Sequence, residues 1–280
     1  MGRWPVARYG HRMALPSPGN DRAAIVTGAS SGIGEEFARI LAQRGHQVVL
    51  VARSADRLAE IAARLGPHTH ALPADLSDRA ARADLPDRVA ALGLTPDILI
   101  NNAGLSTLGL VSQSDPEKEL NLVEVDVAAV VDLCSRLLPG MVQRRRGALL
   151  NVASIAAFGP LPGQAAYGAA KAFVLSYTHS LRGELRGSGV SATALCPGPV
   201  DTGFGEAAGF KKEEAEAALP PVMWIPAAAV AQAGIDGLAA GKAVVVPGRV
   251  NRVASAFFRA APAELLLPLL TRGHPAFRRS

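Results

Sequence analysis

Two cysteines in 280 residues are too few for a disulfide framework, and Cys134 and Cys196 fall in separate apolar stretches. Both read as buried free thiols of a reducing compartment, so a cytoplasmic location is expected. Aromatic residues make up only 5% of the chain, and no basic run is interleaved with them. Nucleic acid is therefore not an expected partner. The one basic cluster, Arg144, Arg145 and Arg146, is expected in a solvated turn before a strand. No uncharged apolar stretch reaches about 18 residues, so no membrane-spanning helix is expected. Arg3 and Arg8 are followed by no apolar core, so a secretory leader is not expected either. No metal site is expected.

Hydrophobic residues make up 49% and charged residues 19%, a globular composition. The net charge of +5 is partly terminal and reads as arginines on a solvated surface. Continuous apolar runs at 24–27, 48–51, 70–72, 98–100, 148–152, 192–195 and 243–246 suit strands buried on both faces. Helical periodicity lies between them, as in 35–44 and 170–186. This alternation predicts an α/β fold: a single domain with a doubly wound, Rossmann-like parallel sheet of about seven strands and helices on both faces.

Residues 1–20 carry Pro5, Pro16, Pro18 and Gly19 and read as a flexible tail. Residues 21–250 read as one domain, expected from the motifs described next to bind a nucleotide and to carry the catalytic residues. Within it, 203–225 reads as a mobile substrate lid, with Gly203, Gly205 and Gly209 before Pro220 and Pro221. Residues 251–280 are an apolar extension interrupted by Pro262 and Pro268. Packing on the domain or a partner subunit is one reading of it; peripheral contact with a membrane surface is the other.

The first strand runs into Thr27-Gly28-Ala29-Ser30-Ser31-Gly32-Ile33-Gly34, and a helix follows. Glycines at 28, 32 and 34 permit a tight turn and a close pyrophosphate, which the helix N-terminus would bind. Gly28, Ser30, Ser31, Gly32, Ile33 and Gly34 are thus cofactor-binding candidates. An NAD-preferring site places a carboxylate about 20 residues beyond such a loop, on the ribose 2′-hydroxyl. Here the second strand ends in Ala52-Arg53. A guanidinium without a carboxylate suits the 2′-phosphate of NADP(H).

Tyr167 and Lys171 are four residues apart, one turn along one face of a helix. A phenol titrates near ~10, and a neighbouring ammonium is expected to lower that value toward acid–base work. Ser154 ends the fifth strand, where its hydroxyl would hold a substrate oxygen against the phenol.

The G-x-x-x-G-x-G loop, followed by Ser154, Tyr167 and Lys171, resembles the shorter single-domain branch of the short-chain dehydrogenase/reductase family, from about Ala23 to Pro247. The resemblance implies hydride transfer between the nicotinamide and a carbonyl or secondary alcohol. Tyr167 would move the proton, Lys171 would also bind the nicotinamide ribose, and Ser154 would polarise the carbonyl. It implies Asp75 on the adenine amino group with Leu76 flanking the ring, and Asn102, Ala103 and Gly104 as a brace and a close approach for cofactor. In Pro197-Gly198-Pro199-Val200-Asp201-Thr202, it implies that Thr202 binds the carboxamide and that Val200 fixes the ring face, on the turn made by Pro197 and Gly198. Where the family commonly has asparagine holding a relay water, this chain has Asp126, expected to fill that catalytic role. The resemblance also implies a homodimer or homotetramer. Phe158, Leu161, Phe204, Phe210, Met223 and Trp224 suggest an apolar substrate. The rival reading is an NADP(H)-binding regulator or scaffold with little catalysis.

Overall fold

The computed structural model describes residues 15–207 and 219–273. At its centre lie seven parallel strands: β1 (Arg22–Thr27), β2 (Gln47–Val51), β3 (Thr69–Ala71), β4 (Thr95–Asn101), β5 (Gly147–Val152), β6 (Val190–Leu195) and β7 (Val244–Val245). Their order is β3-β2-β1-β4-β5-β6-β7. The strand order reverses between β1 and β4, and the crevice at the carboxyl ends there is where such sheets bind ligands. All seven strands overlap the apolar runs. The third lies one residue earlier than its run, because Leu72 leaves the ladder while still donating its N–H to the Leu50 carbonyl at 2.9 Å.

Alternate residues feed two cores, as the pleat requires. Ile25, Leu99 and Leu149 join one buried cluster with Leu85, Leu133 and Val174, from α3 (Arg79–Ala91), α5 (Ala129–Gln143) and α6 (Ala165–Glu184). Val26, Ile100 and Leu150 join the other with Phe37 and Leu41 of α1 (Gly32–Gln43) and Ile235 of α8 (Ala227–Ala239). Each such side chain, fully buried, stabilises the fold by roughly 1.5–3 kcal/mol, which is why both faces must be covered.

The remaining helices are α2 (Ala55–Leu65), α4 (Pro116–Val123), the short α7 (Phe204–Ala207), α9 (Arg249–Ala260) and α10 (Ala263–Gly273). Asp115 starts α4 by accepting the Glu117 N–H at 3.1 Å, with Pro116 at the first helical position. Between α4 and α5 the backbone stays helical but widens into a π-turn over Glu124–Ala128. Such turns insert one residue and tend to occur at functional sites.

The arginine triplet lies in the turn just before β5, as its sequence reading has it, with Arg144 and Arg145 exposed. From that turn Arg146 donates to Asp97 at 2.6 Å and Arg144 to the Pro96 carbonyl at 2.8 Å, so both also latch onto the start of β4. Pro268 departs from its sequence reading: it sits inside α10 without ending it. The first fourteen residues of the predicted tail, the predicted lid's residues 208–218 with Phe210, and residues 274–280 lie outside the described residues. What is described of the C-terminal extension packs on the domain through Asn251, Ser255 and Leu266. Val253, Phe257 and Leu265 face outward, and the surface-contact alternative rests on them. Among the described residues, no helix is long and apolar enough to cross a membrane.

Candidate active site

The glycine loop is shaped by contacts that exclude side chains. Gly28 and Gly32 have φ of +63° and +56°, in the left-handed region that favours glycine. A Cβ on Gly34 would come within 2.1 Å of the Gly28 carbonyl oxygen, and one on Gly32 within 2.9 Å of the Thr202 side chain. Thr27 locks the loop from below: its hydroxyl accepts the N–H groups of Asn102 (2.9 Å) and Ala103 (3.0 Å). The Asn102 amide donates to the carbonyls of Thr27 (3.0 Å) and Gly28 (3.3 Å). Asn102 therefore ties β4 to the turn after β1, and its amide group is used in doing so.

Ser31 precedes α1 in extended conformation, and no side chain caps the helix. The first N–H groups of α1 thus have no side-chain cap and carry the positive end of the helix dipole, which fits a pyrophosphate. Glu35 in the first turn would repel that anion, but Arg57 and Arg64 both pair with it. Ile33 packs partly buried against the core beneath the loop. Ser30 is half-buried, and its carbonyl accepts from Arg57 at 3.3 Å.

Arg53 is exposed at the end of β2, and its charge helps hold the Asp75 carboxyl below the usual range. The larger cause is the Ser77 N–H, which donates to Asp75 Oδ1 at 2.9 Å. Asp75 is thus an ionised acceptor at the rim expected to receive adenine. Leu76 is buried, and its carbonyl accepts from Arg82 at 2.7 Å, so it offers an adenine ring little side-chain surface.

Ser154 follows β5 and caps a short 3-10 turn, Ile155–Phe158, by accepting the Ala156 N–H at 3.1 Å. Tyr167 and Lys171 stand one turn apart on α6, with the ammonium 5.6 Å from the centre of the phenol ring. Ser154 stands close enough to the Tyr167 hydroxyl to favour its ionised form. Lys171 Nζ donates to the Val152 carbonyl at 3.3 Å and lies 2.9 Å from Asp126 Oδ2. The other carboxylate oxygen of Asp126 accepts the Leu105 N–H at 2.6 Å. Asp126 and Lys171 are both buried, and Gly104 gives them room: a Cβ there would stand 3.1 Å from each.

Burial raises the Tyr167 titration above the ordinary phenol value, and the Lys171 ammonium and Ser154 offset only part of that. This reverses the expected lowering. The main reason is that burial penalises the phenolate; Asp126 adds a smaller effect in the same direction. Lys171 itself is driven down by burial but raised overall, chiefly by Asp126 and then by Tyr167. The apo site therefore presents a protonated phenol beside a charged lysine.

The loop after β6 closes the far wall. The Pro197 carbonyl accepts the Ile155 N–H at 2.9 Å, and the Pro199 carbonyl accepts the Ile225 N–H at 3.1 Å. A Cβ on Gly198 would come within 2.4 Å of the buried Asn251 amide. Val200 packs partly buried against the core. Phe204 brings its ring 6.0 Å from that of Tyr167. Phe158 instead faces the C-terminal extension, with the Arg259 guanidinium 4.8 Å over its ring. Thr27, Arg57 and the Leu105 N–H have site roles that no motif announced; Thr27, directly before the first glycine, was the most readable of them.

A family model described as short chain dehydrogenase matches residues 22–213. An uncharacterized oxidoreductase of Staphylococcus epidermidis is 35% identical over 199 residues, 70% of this chain and 86% of the relative. An NADP-dependent 3-hydroxy acid dehydrogenase of Escherichia coli is 35% identical over 178 residues, 63% of this chain and 71% of its own. The solved structure of a short-chain dehydrogenase from Sphingobium yanoikuyae in complex with NADPH superposes with a TM-score of 0.74 at 32% identity. It covers 86% of this chain and 96% of its own.

Proposed function

The chain belongs to the short-chain dehydrogenase/reductase family, and from that premise we propose that it transfers a hydride between NADP(H) and a carbonyl or secondary alcohol of an apolar substrate. The observation that carries the chemistry is the convergence of Ser154, Tyr167 and Lys171 on the crevice at the carboxyl ends of β4 and β5. The loop Gly28–Gly34 with its uncapped helix would hold the pyrophosphate. Arg53 would take the 2′-phosphate, Asp75 the adenine amino group and Thr202 the carboxamide. Ala103 and Gly104 offer no bulk to a nucleotide lying over β4.

When bound, the reduced nicotinamide supplies the hydride that becomes the new C–H bond. Ser154 holds the carbonyl oxygen. Tyr167 gives that oxygen its hydroxyl proton, so the C=O π bond becomes one C–H and one O–H bond. The resulting phenolate rests beside the Lys171 ammonium and regains a proton from solvent. In the oxidative direction each transfer reverses. The rival reading, a binding protein without catalysis, drew its support from Asp126 alone. Asp126 pairs with Lys171 instead of displacing it, which favours the enzyme. Phe173, exposed on α6 and stacked on Tyr177 at 5.8 Å, supports pairing of two copies across that helix.

The deciding test is a fluorescence titration with NADPH and NADH on the parent and on Arg53→Ala. NADPH should bind tighter in the parent by roughly tenfold or more, the worth of a charge-assisted contact of about 1.5 kcal/mol. Arg53→Ala should erase the gap and leave NADH unchanged. Equal affinities in the parent would sink the NADP(H) preference, and no binding at all would sink the oxidoreductase reading.

A further inference from the structure

The geometry points to Asp126 as a positioning residue that sets the charge of the proton-transfer site: its carboxylate pairs directly with the Lys171 ammonium and so keeps the Tyr167 proton available for delivery to a carbonyl oxygen. This rests on the function proposed above for Tyr167.

Four observations converge. The π-turn Glu124–Ala128 brings Asp126 inward, and the residue is 1% exposed. Oδ1 is fixed by the Leu105 N–H, leaving Oδ2 to meet Lys171 Nζ at 2.9 Å. At that separation no water fits between carboxylate and ammonium, so the pair is direct rather than water-bridged. Gly104 supplies the space beside both groups. An asparagine would preserve the Leu105 bond through its carbonyl oxygen but could not match the lysine charge. Carboxylate rather than amide is therefore the feature that matters.

Tyr167 has few charged or titratable neighbours among the described residues. Lys171 shares its helix, Asp126 faces it from the π-turn, and Cys196 faces it from the end of β6. Burial pushes the Cys196 thiol up to about 12, so it stays neutral near physiological pH. Burial raises the titration of Asp126 itself, while the Lys171 ammonium and the Leu105 N–H favour its carboxylate. Lys171 alone would pull the phenol toward phenolate, and the paired carboxylate opposes that pull. Tyr167 and Lys171 titrate as a coupled pair, and removing a nearby negative charge lowers both steps, whichever group loses its proton first. The sign of the effect is thus fixed: without the carboxylate the pair titrates at lower pH.

The experiment uses Asp126→Asn on the full chain. Tyrosinate absorbance of the apo-protein is followed against pH, with Tyr167→Phe assigning the signal among the 3 tyrosines. Reduction with NADPH and oxidation with NADP+ are followed over the same range. In Asp126→Asn the Tyr167 midpoint should fall by roughly 1–2 pH units. The alkaline limb of reduction and the rising limb of oxidation should fall with it. Asp126→Ser, which keeps a small acceptor for Leu105, should shift the same way and serves if the asparagine variant folds poorly. An unmoved midpoint in a folded neutral variant overturns the inference, even if turnover is normal. A shifted midpoint with no turnover on any carbonyl leaves the charge pairing standing and overturns the function proposed for Tyr167.

Discussion

The Arg82 guanidinium donates to the Leu76 carbonyl at 2.7 Å and to the Glu124 carboxylate at 3.1 Å, joining the turn after β3 to the π-turn that carries Asp126. Its Nε also meets Asp132 at 3.1 Å, and the side chain is 4% exposed. One buried cation thus spans the two loops that flank the nucleotide crevice. Arg82→Met should keep the apolar stem and lose every bond. Its partners are the backbone carbonyls of Leu76 and Ser77 and two partly solvated carboxylates, so the cost should be about 1–3 kcal/mol rather than the larger figure for stranded buried charges. Denaturant unfolding measures it. A change within about 0.5 kcal/mol would show that water replaces the guanidinium freely.

His46 lies between the Gly45 turn and β2 and is 4% exposed. Burial lowers its titration below 6.5, with Arg44 adding to the effect and Asp97 opposing it. The fold prefers the neutral ring, so the unfolded chain takes up its proton first as pH falls through 6.5. The stability from His46 is therefore full above 6.5 and is lost below it, down through the lower folded value. His70, whose titration burial also lowers, acts in the same sense. Melting temperature should drop between about pH 7.5 and pH 5.5, a range set by imidazole titration. His46→Leu should flatten part of that drop. An unchanged slope in His46→Leu would assign the acid sensitivity elsewhere.

Much of this molecule was legible before its structure. Strands buried on both faces leave continuous apolar runs, so β1, β2, β4, β5 and β6 could be read directly. Left-handed turns leave glycine, so the loop at 28–34 announced itself. A helix places residues four apart on one face, so Tyr167 and Lys171 could be paired. What stayed hidden depends on distance across the fold. The π-turn has no composition of its own, and Asp126 showed only as a departure from asparagine. The direction of the Tyr167 shift needed the burial of the phenol and the carboxylate beyond the lysine, and no spacing reveals either. Arg82 and Arg146 read as surface arginines because their partners lie 42 to 50 residues away.

The C-terminal extension shows how one leucine can dock a helix. On α10, Leu266 is 1% exposed, while its neighbours Leu265 and Leu267 are 71% and 41% exposed. Leu266 Cδ1 lies 3.5 Å from the position of a Cβ on Gly159, just beyond the turn that Ser154 caps. Phe158 holds the preceding helix through Arg259. Leu266→Ala should therefore cost about 2–3 kcal/mol of docking energy, but locally, because α10 can lift without opening the sheet. Hydrogen exchange should rise across residues 263–273 and along 155–159, with β1 and β4 unchanged. Leu265→Ala, which removes a side chain already in solvent, should leave exchange where it was. If the two variants loosen α10 equally, the docking is spread along the helix rather than seated in Leu266, and the wall beside Ser154 does not depend on that one contact.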